Sequence, residues 1–381
     1  MTTSERSGGG DARRDALRLA FLTDIITPYM VAVLEALATR CELTVIFCSV
    51  TGTRAMPWST EQLNFTHRVV GGGAIRRKTP DAADIYPSPR ILLALLRSRC
   101  DVVISGGFSF PSLYAALYCR STRRRLLIHS DGTRSSEVAI GRGQRITRSL
   151  LARLAAGAVG NSKQAAQRFT ELGFDPVFEA PHSSNLEPFL AVARGRTYSD
   201  APALRLIVAG RLIPRKGVDR LLRAVALARA RGAAVDLTIV GSGEQEQSLR
   251  ALADELGLDD VAWLGFVEQR GLPELFAGAD AFAFPTLDDP FGIVLLEAAA
   301  TGLALLASLH GGATGDLVAD RDTGVVVEPD DSEGFAAAIA ALASDPQRRA
   351  AMGRAARALA EERTPAHTAE AYLAAARAVL G

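Results

Sequence analysis

Two α/β domains, each built on a doubly wound parallel sheet, are what this sequence predicts, and three observations predict them. Short runs rich in Val, Ile and Leu recur with amphipathic stretches between them, the pattern of parallel strands buried on both faces by crossover helices. A polar stretch near residues 191–202, ending ARGRTYSDAP, interrupts the series, which then restarts. A length of 381 residues suits two cores with a cleft between them.

In chain order, residues 1–16 are polar and glycine-rich with no apolar core, so they read as a disordered tail and not as a signal peptide. Residues 17–190 form the first domain, with strands expected at 17–24, 43–50, 101–107, 125–130, 157–162 and 177–182. Residues 191–202 are the linker. Residues 203–362 form the second domain, with strands at 203–210, 235–241, 261–265, 281–286, 304–308 and 323–328. The intervening VDRLLRAVALARARG and EQEQSLRALADELG carry apolar residues at helical spacing. Residues 363–381 read as a helix with no strand after it, expected to cross back to the first domain. Sheets of this kind bind ligands outside the carboxyl ends of their strands, so the two should face each other across a crevice.

With 48% hydrophobic and 22% charged residues the chain is a packed globule, too apolar for disorder. Glu297 splits the most hydrophobic region, so a spanning helix is not expected. Cys41, Cys48, Cys100 and Cys119 have neither zinc-site spacing nor disulfide-scaffold density and suit buried thiols in a reducing, cytoplasmic setting.

Charge is divided. Residues 1–200 carry 26 Lys+Arg against 17 Asp+Glu, and residues 201–381 carry 17 against 25. The basic half suits an anionic membrane surface or an acidic acceptor, or is an arginine-rich surface with no dedicated partner. The helix at 141–157 places Ile146, Leu150, Leu151 and Leu154 on one stripe, with Arg142, Arg145, Arg148 and Arg153 near its edges. Contact with an anionic membrane and packing against the sheet both account for it.

Two loops concentrate the chemistry. AGRLIPRKG sets Arg211 and Lys216 before a helix, a site for a diphosphate or an ordinary solvated basic loop; Arg215 reads as solvent-facing charge. DDPFGIVLLEAAATG places Asp289, then Phe291-Gly292, then an apolar helix start whose amides at Gly292, Ile293 and Val294 would face a phosphate. Glu297 follows among apolar neighbours, where a lone carboxylate is costly unless it binds something, and two ribose hydroxyls are a suitable donor pair. His129 ends the strand RLLIHS, where an imidazole can donate or accept at neutral pH, although a core histidine is the plainer account of the residue taken alone. His67, His182, His310 and His367 lack such positional support, though His310 precedes Gly311 and Gly312 in a loop facing the crevice.

GRLIPRKG and DPFGIVLLEAAATG, about eighty residues apart, resemble the retaining glycosyltransferases of family four, which use the two-domain GT-B fold. The resemblance is strong over the C-terminal half and rests on strand order and IHSDG in the N-terminal half. It implies that Arg211 and Lys216 hold a donor diphosphate and that Glu297 binds the ribose. Asp289, one methylene shorter than the family's first glutamate, would touch the transferred sugar, with Phe291, Gly292, Ile293 and Val294 beside the donor. Gly241 and Gly243 of VGSGEQ would flank the nucleotide, Val267 the base, and His129 would approach the donor sugar. The family's Gly-Gly pair in the first strand-to-helix loop is replaced by Thr27 and Pro28. GGG at 71–73, followed by AIRRK, is a flexible linker or a flap over an acceptor.

The expected function is therefore retaining transfer of a hexose-type sugar from a nucleotide-diphosphate donor to a saccharide, lipid-linked or natural-product hydroxyl. No cofactor and no metal are expected, and Asp288 and Asp289 are adjacent, which does not make a chelating D-x-D. A peripheral membrane contact fits, whereas nucleic acid is not an expected partner. The competing readings are a sugar-nucleotide epimerase or hydrolase of the same architecture and a nucleotide-sugar-binding protein without turnover. No G-x-G-x-x-G follows the first strand of either domain, which disfavours hydride chemistry.

Overall fold

The computed structural model describes residues 17–25, 27–49, 63–71, 73, 75, 84–137, 140–198, 201, 203–318 and 322–381. The expected tail at 1–16, much of the segment at 71–78 and part of the linker lie outside the described residues. Strands of the first sheet are β1 (Arg18–Thr23), β2 (Glu42–Phe47), β3 (His67–Val69), β4 (Val102–Gly106), β5 (Arg125–Ser130), β6 (Gly157–Gly160) and β7 (Val177–Glu179). Those of the second are β8 (Leu204–Ala209), β9 (Val235–Val240), β10 (Ala262–Gly265), β11 (Ala281–Phe284), β12 (Ala304–Ser308) and β13 (Gly324–Val327). All pair in parallel, in the orders β3-β2-β1-β4-β5-β6-β7 and β10-β9-β8-β11-β12-β13. Each sheet reverses its strand order beside its first strand, and the loops that splay apart there open a crevice.

The helices are α1 (Pro28–Ala38), α2 (Arg90–Ser98), α3 (Phe110–Thr122), α4 (Arg142–Leu154), α5 (Lys163–Glu171), α6 (Glu187–Arg194) and α7 (Val218–Ala230), then α8 (Glu246–Glu255) and α9 (Leu272–Ala277). They continue as α10 (Ile293–Thr301), α11 (Thr314–Leu317), α12 (Ser332–Ser344), α13 (Pro346–Glu361) and α14 (Pro365–Ala378). Each sheet is covered on both faces, giving two apolar layers per domain.

The apolar runs read from sequence all become strands. β3 does not come from such a run: His67–Val69 is short and little buried, so it carries no apolar signature and forms by pairing with β2. The expected linker is also not a simple spacer. Its first residues complete α6, and the Arg196 guanidinium donates to the carbonyls of Phe276 at 3.4 Å and Ala277 at 3.1 Å, satisfying the C-terminal end of α9.

α4 turns differently from the stripe read in its sequence. Leu151 packs inward, but Ile146, Leu150 and Leu154 are exposed, and Arg148 is buried. The Arg148 guanidinium lies 4.3 Å from the Phe108 ring centroid and pairs with Glu137 at 2.6 Å, so an ion pair takes the inward position.

The C-terminal helix joins the two halves. α14 packs on α1, and its Ala369, Tyr372, Leu373, Ala375 and Ala376 belong to the first domain's core. Thr368 Oγ1 donates to the carbonyl of Pro181 at 2.7 Å, and Ser183 Oγ to that of Arg363 at 2.7 Å. Tyr372 is wholly buried, edge-on to Phe21. Replacing it by alanine should cost about 3–5 kcal/mol in urea unfolding, whereas a loss below about 1 kcal/mol would mean that α14 is not part of this core.

Candidate functional site

The site is assembled at the carboxyl edge of the second sheet, where the loops after β8, β9 and β11 meet. Backbone permission comes first. Gly292 precedes α10 with φ +87°, and a Cβ there would lie 2.2 Å from Phe284 Cζ, so only glycine lets the chain turn tightly over that ring into the helix. Gly241, after β9, has φ +134°, and a Cβ would lie 1.8 Å from the Gly210 carbonyl oxygen. The β8 and β9 loops can therefore lie side by side, with Gly243 against Leu212.

The β8 and β11 loops are sewn together. Thr286 Oγ1 donates to the carbonyls of Arg215 and Asp288 at 2.9 and 3.0 Å, and the Leu287 amide donates to Arg215 O at 2.8 Å. Arg215 is half-buried and donates to Asp288 O at 3.0 Å, so the solvent-facing role read for it is wrong. Its charge satisfies a loop carbonyl.

Lys216 and Asp289 form an ion pair in which Lys216 Nζ donates to Asp289 Oδ2, and the ammonium lies 5.8 Å from the Phe284 ring centroid. Asp289 is buried, and its second oxygen receives the Phe291 amide at 3.4 Å. Arg211 is exposed at the start of the same loop. The orphan amides in the first turn of α10 add partial positive charge at this edge. Asp288, between them, is half-buried with Oδ1 lacking a hydrogen-bond partner, and burial raises its carboxyl above the ordinary range.

Glu297 lies one turn inside α10 and is 3% exposed. It is not alone, as the sequence suggested: Gln269 Nε2 donates to Glu297 Oε1 at 3.0 Å from the loop after β10, the loop that also carries Val267. Burial pushes its carboxyl up to about 7, opposed by the Gln269 bond. A group poised there can ionise when hydroxyl donors arrive.

On the facing edge, His129 ends β5 among Phe21, Tyr372 and Asn161. Asn161 Nδ2 donates to Ala180 O at 3.0 Å and to Tyr372 Oη at 2.7 Å, which commits both amide hydrogens. Its Oδ1 therefore faces His129 Nδ1 at 3.3 Å, which suits a hydrogen on Nδ1, and Tyr372 Oη lies 3.4 Å from the same nitrogen. In that tautomer Nε2 keeps its lone pair beside Gly106, where any Cβ would lie 3.0 Å from it. Burial pulls the imidazole down to about 4, so it is neutral at pH 7.

His182, given no role by its sequence position, bridges the crevice. Its ring lies 4.6 Å from that of Phe291 in the loop before α10, and its Nε2 is 3.9 Å from Asp131 Oδ2. His310 turns instead to Glu328 Oε1 at 3.1 Å. The structure thus gathers Arg211, Lys216, Gly241, Gly243, Val267, Asp289, Phe291, Gly292, Ile293, Val294 and Glu297 on one edge and His129 on the other. Gln269, Asn161, Tyr372 and His182 were not legible. Among the described residues no cluster of three or more His, Cys, Asp or Glu could hold a metal ion.

Two measurements check these assignments. An unfolded glutamate ionises near about pH 4.3, whereas native Glu297 holds its proton to about 7. Between those values the native state binds the extra proton, so the fold loses stability as pH rises. Relative to Glu297→Gln, the wild type should lose about 3 kcal/mol across that window in urea unfolding; a difference independent of pH would refute the buried-acid assignment. Nitrogen NMR of histidine-labelled protein should show His129 with a protonated Nδ1 and a bare Nε2 at pH 7, and finding the proton on Nε2 would reverse the Asn161 orientation.

Residues 198–359 match the family model described as "Glycosyl transferases group 1". The GDP-mannose-dependent alpha-(1-6)-phosphatidylinositol monomannoside mannosyltransferase of Mycolicibacterium smegmatis is 39% identical over 160 residues, 40% of this chain and 42% of that protein. The D-inositol 3-phosphate glycosyltransferase of Pseudarthrobacter chlorophenolicus is 35% identical over 229 residues, 56% of this chain and 54% of that protein. The chain thus spans about half the length of the curated relatives it matches. Anabaena HepE, solved in complex with UDP, superposes with a TM-score of 0.75 at 21% identity, covering 95% of this chain and 100% of that one. Sucrose-phosphate synthase of Thermosynechococcus elongatus does so with a TM-score of 0.69 at 18% identity, covering 95% and 99%. The fold is GT-B, and residues 198–359 are similar to the group 1 glycosyltransferases.

Proposed function

We propose that this protein is a retaining glycosyltransferase that moves a hexose-type sugar from a nucleoside-diphosphate donor to an acceptor hydroxyl. The observation that carries this reading is the convergence of Lys216, Asp289, the start of α10 and the buried acid Glu297 on one sheet edge facing His129. The donor pyrophosphate lies against the Arg211 and Lys216 side chains and the first-turn amides, and ribose hydroxyls donate to Glu297. As the sugar C1–O bond breaks, charge grows on the departing diphosphate, and these fixed cations and dipoles meet it. The acceptor oxygen bonds C1 from the same face, and its proton passes to a phosphate oxygen of the leaving group. Side-chain cations and the helix start supply the positive charge in this scheme, so it requires no metal. The four free cysteines fit a reducing, cytoplasmic setting.

In the free protein Asp289 neutralises Lys216, so the donor must take over part of that ion pair. The freed carboxylate then lies beside the sugar and can accept its hydroxyls. GDP-mannose and UDP-glucose are the donors to try first, because the relatives and the Anabaena structures carry those names. Saccharide, inositol-type and lipid-linked alcohols are the acceptors.

Lys216→Ala should fold and lose transfer by about 10²–10³-fold in kcat. Glu297→Ala should weaken nucleotide binding by about tenfold or more, since hydrogen bonds to a charged group contribute about 1.5–3 kcal/mol. A thermal-shift screen over nucleoside diphosphates selects the base. Full transfer by both variants overturns the assignment, and rapid release of free or isomerised sugar without acceptor replaces it with a hydrolase or epimerase.

A further inference from the structure

We propose that the helix layer α2, α3 and α4 is a docking face that seats the first domain on an anionic lipid bilayer. The three helices are neighbours in one layer, α2 against α3 and α3 against α4, on the sheet face opposite α1 and α14. Most of their outward residues are leucine, isoleucine and arginine, with Phe110, Ser121, Thr122, Gly143, Gln144 and Ser149 the uncharged remainder. On α2 the exposed side chains are Arg90, Leu93, Leu96 and Arg97. On α3, Leu117 and Arg120 are exposed, and on α4 the stripe Arg142, Ile146, Leu150, Arg153 and Leu154 faces out. Ile146 is 69% exposed, and Leu93, Leu96 and Leu117 are each more than half exposed.

Charge sign chooses the occupant. None of the three helices contains an aspartate or glutamate. Two acids that flank these helices in sequence are already held, Asp101 by Arg18 and Arg124 and Glu137 by Arg148 and Arg168. A second copy docking through the same face would set arginine against arginine with no acid to compensate. An anionic interface accepts both components: the aliphatic side chains enter the acyl boundary while the guanidinium groups reach phosphates. The burial of Arg148 is part of the design, since it turns Ile146, Leu150 and Leu154 outward together. No helix among the described residues is long and apolar enough to cross a membrane, so this contact is with the surface.

The test is flotation of the full chain with vesicles of phosphatidylcholine, with and without about a third phosphatidylglycerol, without donor or acceptor. The protein should float only with the anionic vesicles and release as salt rises to 0.5 M, because screening shortens to a few ångströms. The pairs Ile146→Glu with Leu150→Glu, and Arg142→Glu with Arg145→Glu, should each weaken partitioning by roughly tenfold or more. Leu380→Glu, on an exposed site off this face, should leave it unchanged. These are surface positions, so thermal unfolding should be unaltered in all variants. Equal binding to neutral vesicles, no binding to either, or variants that bind like the wild type overturns the proposal. So does self-association abolished by the Ile146 and Leu150 changes in a protein that ignores lipid. Because no turnover is measured, failure here leaves the transferase reading intact.

Discussion

The ion pair between Lys216 and Asp289 is the contact on which the carboxyl edge of the second sheet depends. It links the loop after β8 to the loop after β11 across 73 residues of sequence, and both side chains are largely removed from solvent. Holding an ammonium there without a phosphate requires a compensating carboxylate, because an unpaired charge at that depth is costly. The pairing holds the ammonium in one orientation beside the Phe284 ring. The loop hydrogen bonds of Thr286, Leu287 and Arg215 restrain the same two segments.

A crevice needs two walls held at a fixed spacing, and the chain secures this at its end. Asp316 of the second domain accepts from the Lys163 amide at 3.1 Å, capping α5 of the first, and Arg363 approaches the same carboxylate at 3.4 Å. α14 then enters the first core and places Tyr372 beside Asn161 and His129. His129 Nδ1 thus lies 3.4 Å from the hydroxyl of a residue 243 positions away in sequence. Ring contact between His182 and Phe291 completes the link at the mouth of the crevice.

Burial has opposite effects on two titratable groups, one from each domain. It neutralises His129 by making the imidazolium costly, and it holds the proton on Glu297 by making the carboxylate costly. Near neutral pH the free site is thus sparing of charge at its flanks, with the cations concentrated on the β8 loop.

What the sequence determined by itself is whatever depends on local pattern. Continuous apolar runs mark strands buried on both faces, and a glycine before an apolar helix marks a turn where backbone must pass close to a ring. Arg211 and Lys216 before the next helix were legible for the same reason. Only the tertiary structure decided partners. Gln269 reaches Glu297 across 28 residues and Arg148 turns inward to Glu137, while Arg215 folds onto a carbonyl of another loop. Hydrogen bonds and ion pairs join groups by distance in space, and periodicity along a chain carries no record of that distance.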